Sequence, residues 1–314
     1  MKILVTGGCG YTGVVLANSL LDLGHEVIVV DTQWFGNDLG ERPNLKVINQ
    51  DVRTMDYSVL DSVESVIHLA NIANDPSVDL DPLLSWEVNV LATMRLTEAS
   101  VRAGVRRFVY ASSGSVYGVQ EAEQVTEDLP LVPISVYNKT KMVAERAVMS
   151  YMDEMDIYCV RPATVCGVSP RQRLDVAVNM LTYQALKNGK VTVFGGDQTR
   201  PNIHIKDLVE VYQHLIFNDV NPGVYNAGFE NISIHEIALR VKEILPCEII
   251  KTPSNDPRSY RLSSKKLLDS GFVPKHSVAD AMQELSEAYK LGELLDEPRF
   301  HNVKWMKENP TEFK

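Results

Sequence analysis

A chain of 314 residues with 45% hydrophobic and 23% charged side chains is long enough for one large domain or two unequal lobes around a full core. Its 31 Lys and Arg stand against 41 Asp and Glu, a formal charge of −10, which argues against a surface that tracks nucleic acid or anionic lipid. Cys9, Cys159, Cys166 and Cys247 form no C-x-x-C pair and the seven histidines lack ligand spacing, so neither a disulfide framework nor a metal site is predicted.

The first residues, MKILVTGG, pass directly into a β-branched run without the charged and cleavage regions of a secretory leader. No apolar stretch approaches the roughly 20 residues of a membrane span, so a cytoplasmic protein is expected. KILVT (2–6) reads as a buried strand, followed by a glycine-rich turn and the helix YTGVVLANSLLDLG. Strands follow at HEVIVVD (25–31), LKVIN (45–49) and SVIHLA (65–70). A long helix is predicted from about Pro82 to Ala103, then the strand RRFVYAS (106–112), a helix beginning near Tyr137, and IYCVRPATV (157–165). Strands this apolar, spaced by helices, predict an α/β fold: a doubly wound parallel sheet of Rossmann type, placed at 1–166. After 166 the pieces shorten: helices at about 174–188, Lys206–Phe217, 233–245 and 277–290, with KVTVFG between the first two. They predict a smaller C-terminal substrate-binding lobe over 167–295, laid on the carboxyl ends of the strands, with some later segments free to return to the sheet. The tail 296–314, DEPRFHNVKWMKENPTEFK, has no clear period and is expected to run extended over the surface.

Two short stretches carry chemistry. In TGGCGYTG, Gly7, Gly10 and Gly13 follow a predicted strand and open a predicted helix, the context in which glycines let backbone amides approach a pyrophosphate at a helix N-terminus. Asp31 ends the second strand, where a carboxylate accepts from adenine-ribose hydroxyls and repels a 2′-phosphate, favouring NAD. In SVYNKTK, Tyr137 and Lys141 stand one helical turn apart. Ionising a phenol at pH 7 requires lowering its pKa by about three units, or roughly 4 kcal/mol. One cation about 4 Å away at an effective dielectric near 20 is worth about 4 kcal/mol. Lys141 and a bound, positively charged nicotinamide would thus make Tyr137 a general base. A hydroxyl of YASSGSVYG (110–118) stands ready to orient the substrate's own hydroxyl.

These motifs, with QDV (50–52), HLAN (68–71), RPATVCG (161–167) and RPNIHIKDL (200–208), run in one order along most of the chain. Together they resemble the extended short-chain dehydrogenase/reductase superfamily, in its nucleotide-sugar epimerase/dehydratase branch. The resemblance implies Ser113 as the catalytic hydroxyl, Tyr137 as general base and acid, and Lys141 on the nicotinamide ribose. It places Tyr11 and Thr12 after the phosphate loop, Asp51 and Val52 at the adenine, and Leu69, Ala70, Asn71, Asn89, Ala111 and Pro162 along the cofactor. Asn179, Arg200 and Arg258 resemble residues that hold the sugar nucleotide's diphosphate. A homodimer, paired through the long helix and the helix bearing Tyr137, is expected on the same ground.

Eliminating members of the family resemble one another in an Asp-Glu pair after the catalytic hydroxyl, and decarboxylating members carry a Glu. Here Gly114 and Ser115 stand in that place. The resemblance therefore points to 4-epimerisation through a transient 4-keto sugar, the hydride being kept on the bound cofactor. A net dehydrogenase or ketoreductase on a similar nucleotide sugar is the rival, and a non-catalytic NAD-binding regulator a more distant one. Ala163 departs from the sugar-contacting Asn of galactose epimerases, while GVSPRQRLDVAVN (167–179) and FGGDQTRPNIH (194–204) resemble a surface-polysaccharide branch.

Overall fold

Residues 1–120, 122–253, 259–310 and 313 are described in the computed structural model. Strand β1 (Lys2–Thr6), helix α1 (Tyr11–Asp22), β2 (Glu26–Asp31), β3 (Leu45–Asn49) and β4 (Ser65–His68) follow the predicted alternation. The single helix predicted over 82–103 is instead composite. After the short α2 (Asp75–Val78), α3 (Pro82–Trp86) passes through a π-helical segment, Glu87–Ala92, into α4 (Thr93–Arg102). Strand β5 (Arg107–Ala111), helix α5 (Val136–Met149) and strand β6 (Asp156–Pro162) come next. The rest comprises β7 (Thr164–Cys166), α6 (Ala177–Asn188), β8 (Lys190–Phe194), β9 (Thr199–His204), α7 (Ile205–Phe217), β10 (Gly223–Ala227), β11 (Glu230–Ser233), α8 (Ile234–Ile244), β12 (Glu248–Thr252), α9 (Lys265–Asp269), α10 (Val278–Lys290) and α11 (Asn302–Glu308).

Seven strands form one sheet in the order β10-β6-β5-β4-β1-β2-β3, and every pair in it is parallel. Strands β4 and β5 are buried at every position, which is why the sequence there shows apolar runs instead of alternation. Leu16 and Leu20 of α1 and Val211 and Leu215 of α7 cover one face. Leu96 of α4 and Ala144 and Val148 of α5 cover the other. The chain winds from β1 outward to β3, then crosses to β4 and winds the opposite way. The crevice beyond Thr6 and His68, paired at the ends of β1 and β4, is therefore the topological switch point where such sheets take ligands.

A three-stranded sheet, β11-β9-β7, and a two-stranded one, β12-β8, lie outside the main sheet. With α6, α8 and α10 they share a separate core that includes Val178, Leu181, Val193, Ile237, Val241 and Met282. Strand β10 returns to the edge of the large sheet beside β6.

The tail does not run extended over the surface. It forms a short 3-10 turn at Pro298–Phe300 and then α11, with Phe300, Met306 and Phe313 buried. Arg299 donates to both carboxylate oxygens of Asp38, at 2.6 and 2.9 Å, and the Trp305 indole donates to the Trp34 carbonyl at 2.7 Å. Its apolar residues are too widely spaced to show a period, yet Phe313 packs on Trp34 and Phe35 of the loop after β2. Among the described residues no helix is long and apolar enough to cross a membrane.

Candidate active site

The turn between β1 and α1 is closed by backbone. Gly7 has φ +71°, and a Cβ there would lie 2.6 Å from the Ala70 nitrogen. At Gly13 a Cβ would lie 2.2 Å from the Gly7 carbonyl oxygen, so only glycine lets α1 start this close to the strand end. Helix α1 has no side-chain cap, which leaves its first N–H groups for a ligand. Asp31 accepts from the Cys9 amide at 2.9 Å and the Gln33 amide at 2.7 Å. A carboxylate has about four lone-pair directions, so acceptor capacity remains for hydroxyls; burial pushes its pKa up. The Asn71 amide donates to the Leu69 carbonyl at 2.6 Å, while its buried oxygen has no hydrogen-bond partner among the described residues. The glycine cradle, the spare carboxylate capacity and this orphaned oxygen fit a dinucleotide.

A cleft of about 730 Å³ runs from this turn across the strand ends. Gly7, Gly10, Tyr11, Thr12 and Gly13 line it at the α1 end, with Asp31, Asp51 and Val52 beside them. Asp51 is ion-paired with Arg53 at 2.8 Å. Leu69, Ala70 and Asn71 follow β4, Ala111 and Ser113 come from the end of β5, and Pro162 from β6.

Ser135 caps α5 by accepting from the Asn138 amide at 3.1 Å, and the helix then presents Tyr137, Lys141 and Glu145 at successive turns of one face. Tyr137 and Lys141 line the cleft. Lys141 is 2% exposed, donates to the Ala111 carbonyl at 2.8 Å and lies 5.0 Å over the Tyr110 ring. Glu145 sits behind them, accepting from the Ser112 hydroxyl at 2.6 Å and pairing with buried Arg161. The Ser113 hydroxyl bonds to the Ser115 hydroxyl at 2.7 Å and lies beside the Tyr137 phenol in the cleft wall. Ser115 in turn donates to Asn138 at 2.8 Å.

The electrostatics differ from the expectation that Lys141 lowers the phenol. Desolvation dominates: burial pushes Tyr137 up to about 12 and Lys141 down to about 7. What holds the phenol lower is the Ser113 hydroxyl and, at longer range, the Arg173 guanidinium, while Asp75 raises it.

Arg200 of β9 lines the cleft, but two other expected ligand contacts do not. Asn179 is fully buried. Its amide donates to the Tyr11 phenol and to the carbonyls of Gly167 and Arg173, and its oxygen accepts from the Gly167 amide. Asn89 is likewise absent from the cleft wall, since its side chain bonds Ile72 on both sides and Thr140. Each amide is consumed by backbone and side-chain groups of the protein itself. Arg258 lies outside the described residues.

Sequence reasoning missed Arg171, Arg173, Asp175 and Asn302, which also line the cleft. Arg173 donates to Asp175 at 2.8 Å. The signal was the RQRLD run in a segment otherwise rich in small and apolar residues, but no spacing rule marks it; Asn302 lies in the tail, where no period was visible.

The sequence pattern of a family described as the NAD dependent epimerase/dehydratase family matches residues 3–228. UDP-glucose 4-epimerase of Lactobacillus helveticus is 28% identical over 312 residues, covering 89% of this chain and 94% of that enzyme. UDP-glucuronic acid decarboxylase 1 of Xenopus tropicalis is 30% identical over 263 residues, covering 78% of this chain and 60% of that one. The structure is similar to that of UDP-glucuronic acid 4-epimerase from Bacillus cereus in complex with UDP-glucuronic acid and NAD. The TM-score is 0.82 at 28% identity, over 93% of this chain and all of the other.

Proposed function

The chain is an enzyme of the NAD-dependent epimerase/dehydratase family, and from that premise we propose that it is a nucleotide-sugar 4-epimerase. Supporting this reading is the local chemistry after the catalytic hydroxyl. Gly114 has no side chain, and the Ser115 hydroxyl is bonded to Ser113 and Asn138, so these positions supply no second acid and base for elimination. Tyr137 is the group left to move a proton. It takes the proton from the sugar 4-hydroxyl and later returns it, while Ser113 holds that hydroxyl against the phenol. Bound NAD would supply the hydride acceptor and donor for the sugar carbon and a positive charge beside the phenol. From about 12 to neutral pH is some five units, about 7 kcal/mol. A unit charge at about 4 Å and an effective dielectric near 20 supplies about 4 kcal/mol. Two cations are therefore the scale required: bound NAD would supply one, and Arg173 is the chain's own contributor. Arg200 grips the diphosphate, leaving the sugar free to turn between removal and return. Residues 1–166 with β10 would hold the cofactor, 167–295 the substrate, and 296–314 the tail. The same reading makes the protein a cytoplasmic homodimer acting on sugars destined for surface polysaccharide.

The experiment is conversion of a panel of UDP-, dTDP-, GDP- and CDP-sugars by purified protein with no added cofactor. Epimerisation with C4 deuterium retained in product, and at least a hundredfold loss in Tyr137→Phe, is expected. No conversion without cofactor, with one equivalent of reduced cofactor formed per sugar once NAD is added, would instead make the enzyme a dehydrogenase.

A further inference from the structure

Arg171 is among the largest fully buried side chains of the described residues, 1% exposed, and it belongs to the cleft wall. The segment carrying it is tied to the start of α1. The Ser169 hydroxyl donates to the Tyr11 carbonyl at 2.8 Å, and the Tyr11 phenol donates to the Gly167 carbonyl at 2.8 Å. Arg171 therefore enters the cleft beside the glycine turn. Its guanidinium lies 4.1 Å over the Phe35 ring. It donates to the Gln172 carbonyl at 3.0 Å and to the Asn302 side-chain oxygen at 2.7 Å.

A guanidinium has five N–H donors, and these bonds use two. Nε is buried and has no partner among the described residues. Two carboxylates lie near, Asp31 and Asp175, and two further cations, Arg173 and Arg299. Neither accepts a hydrogen bond from Arg171: Asp31 accepts from the Cys9 and Gln33 amides, Asp175 from Arg173 and the Asn302 amide. Burial and the Arg173 charge push Arg171 down to about 9. A buried cation with unmet donors is costly unless an anion meets it, and the free N–H groups at the start of α1 call for the same partner.

We infer that Arg171 binds a phosphate of the dinucleotide, and that Asn302 of the C-terminal tail is the positioning residue that holds its guanidinium for that contact. This rests on the NAD reading above and deepens it. The substrate-side segment and the tail would then both help retain the cofactor, as an enzyme that keeps one cofactor through many turnovers requires.

The test is equilibrium dialysis of ADP and of adenosine against wild type, Arg171→Ala, Arg171→Lys and Asn302→Ala, with circular dichroism of each variant. Arg171→Ala is expected to weaken ADP about tenfold or more, the scale of charge-assisted hydrogen bonds, and to leave adenosine within twofold. Arg171→Lys should recover part of the loss, and Asn302→Ala should weaken ADP a few-fold without touching adenosine. Equal ADP affinity in Arg171→Ala and wild type, or equal losses of ADP and adenosine, overturns the inference. Should Arg171→Ala not fold, the Asn302→Ala comparison decides by the same criterion. Wild type that binds neither ADP nor NAD overturns the cofactor reading itself, whereas wild type that binds both with Arg171 indifferent overturns only the phosphate contact.

Discussion

Lys141 meets the protein through one hydrogen bond, to the Ala111 carbonyl, and one aromatic face; that is thin compensation for an ammonium almost fully removed from water. Its pKa falls from the ordinary 10.5 to about 7. The sign of the consequence is set by proton counting. Above about pH 7 the unfolded chain still holds this proton and the folded chain releases it, so stability rises with pH from about 7 toward 10.5; below about 7 both states hold it and the burial penalty is complete. In the cofactor-free protein, wild type should therefore gain stability relative to Lys141→Met between pH 7 and 8.5, by at most about 1.4 kcal/mol per pH unit. Urea midpoints at three pH values check this, and parallel curves for the two proteins would contradict it. Residues such as Gly7, Gly13, Tyr137 and Lys141 were legible because each pair meets within one turn of chain. Arg171 was not: its partner Asn302 is 131 positions away, and an arginine in a Pro- and Gln-containing connector reads as a surface cation. Asn89 and Asn179 fell in the right region, but the sequence could not show that neighbouring backbone and the Thr140 and Tyr11 hydroxyls would use up their amides.

At the scale of elements, α5 joins the chemistry to the sheet. Tyr137 and Lys141 face the cleft, and Glu145, one turn further, forms a buried pair with Arg161 of β6 while accepting from Ser112 after β5. The pair ties the helix to two strands just behind the catalytic hydroxyl. Glu145→Gln leaves the Arg161 charge buried and unbalanced, a loss expected to cost about 3–5 kcal/mol. Urea unfolding measures it, and a change below about 1 kcal/mol would mean the ion pair does not anchor the helix. The long helix opposite shows what periodicity hides. Its register over 82–103 predicts one continuous helix, yet Glu87–Ala92 is π-helical, a widening of the sort found at functional sites. That turn carries Asn89 to Ile72 and Thr140, so it fixes the loop after β4, whose Asn71 lines the cleft, against α5. The succession of strands and helices up to β6 and the β1–α1 turn were readable from local pattern; this segment depends on contacts across the fold.

Over the whole molecule, the inner faces of α4 and α5 are spent on the sheet, while Leu83, Leu91 and Met94 are 70, 48 and 42% exposed. Their spacings of eight and three residues set them toward one side of the α3–α4 helix, and apolar side chains grouped in water are the usual mark of an interface. A second copy presenting the same stripe would bury it symmetrically, consistent with the proposed homodimer. Light scattering at micromolar protein should give twice the 35.1 kDa of one chain. Leu91→Glu combined with Met94→Glu sets carboxylates into that contact, at positions that do not line the cleft, and should return the mass of one chain with the circular dichroism spectrum preserved. Wild type scattering as a single chain would remove the dimer, and the stripe would then need another partner. Because α5 packs against the π-helical turn and α4, a partner seated on this face would stiffen the helix that carries Tyr137. The double variant should consequently lose turnover more than it loses ADP affinity, since the dinucleotide end of the cleft is built from the β1–α1 turn, the 167–173 segment and the tail.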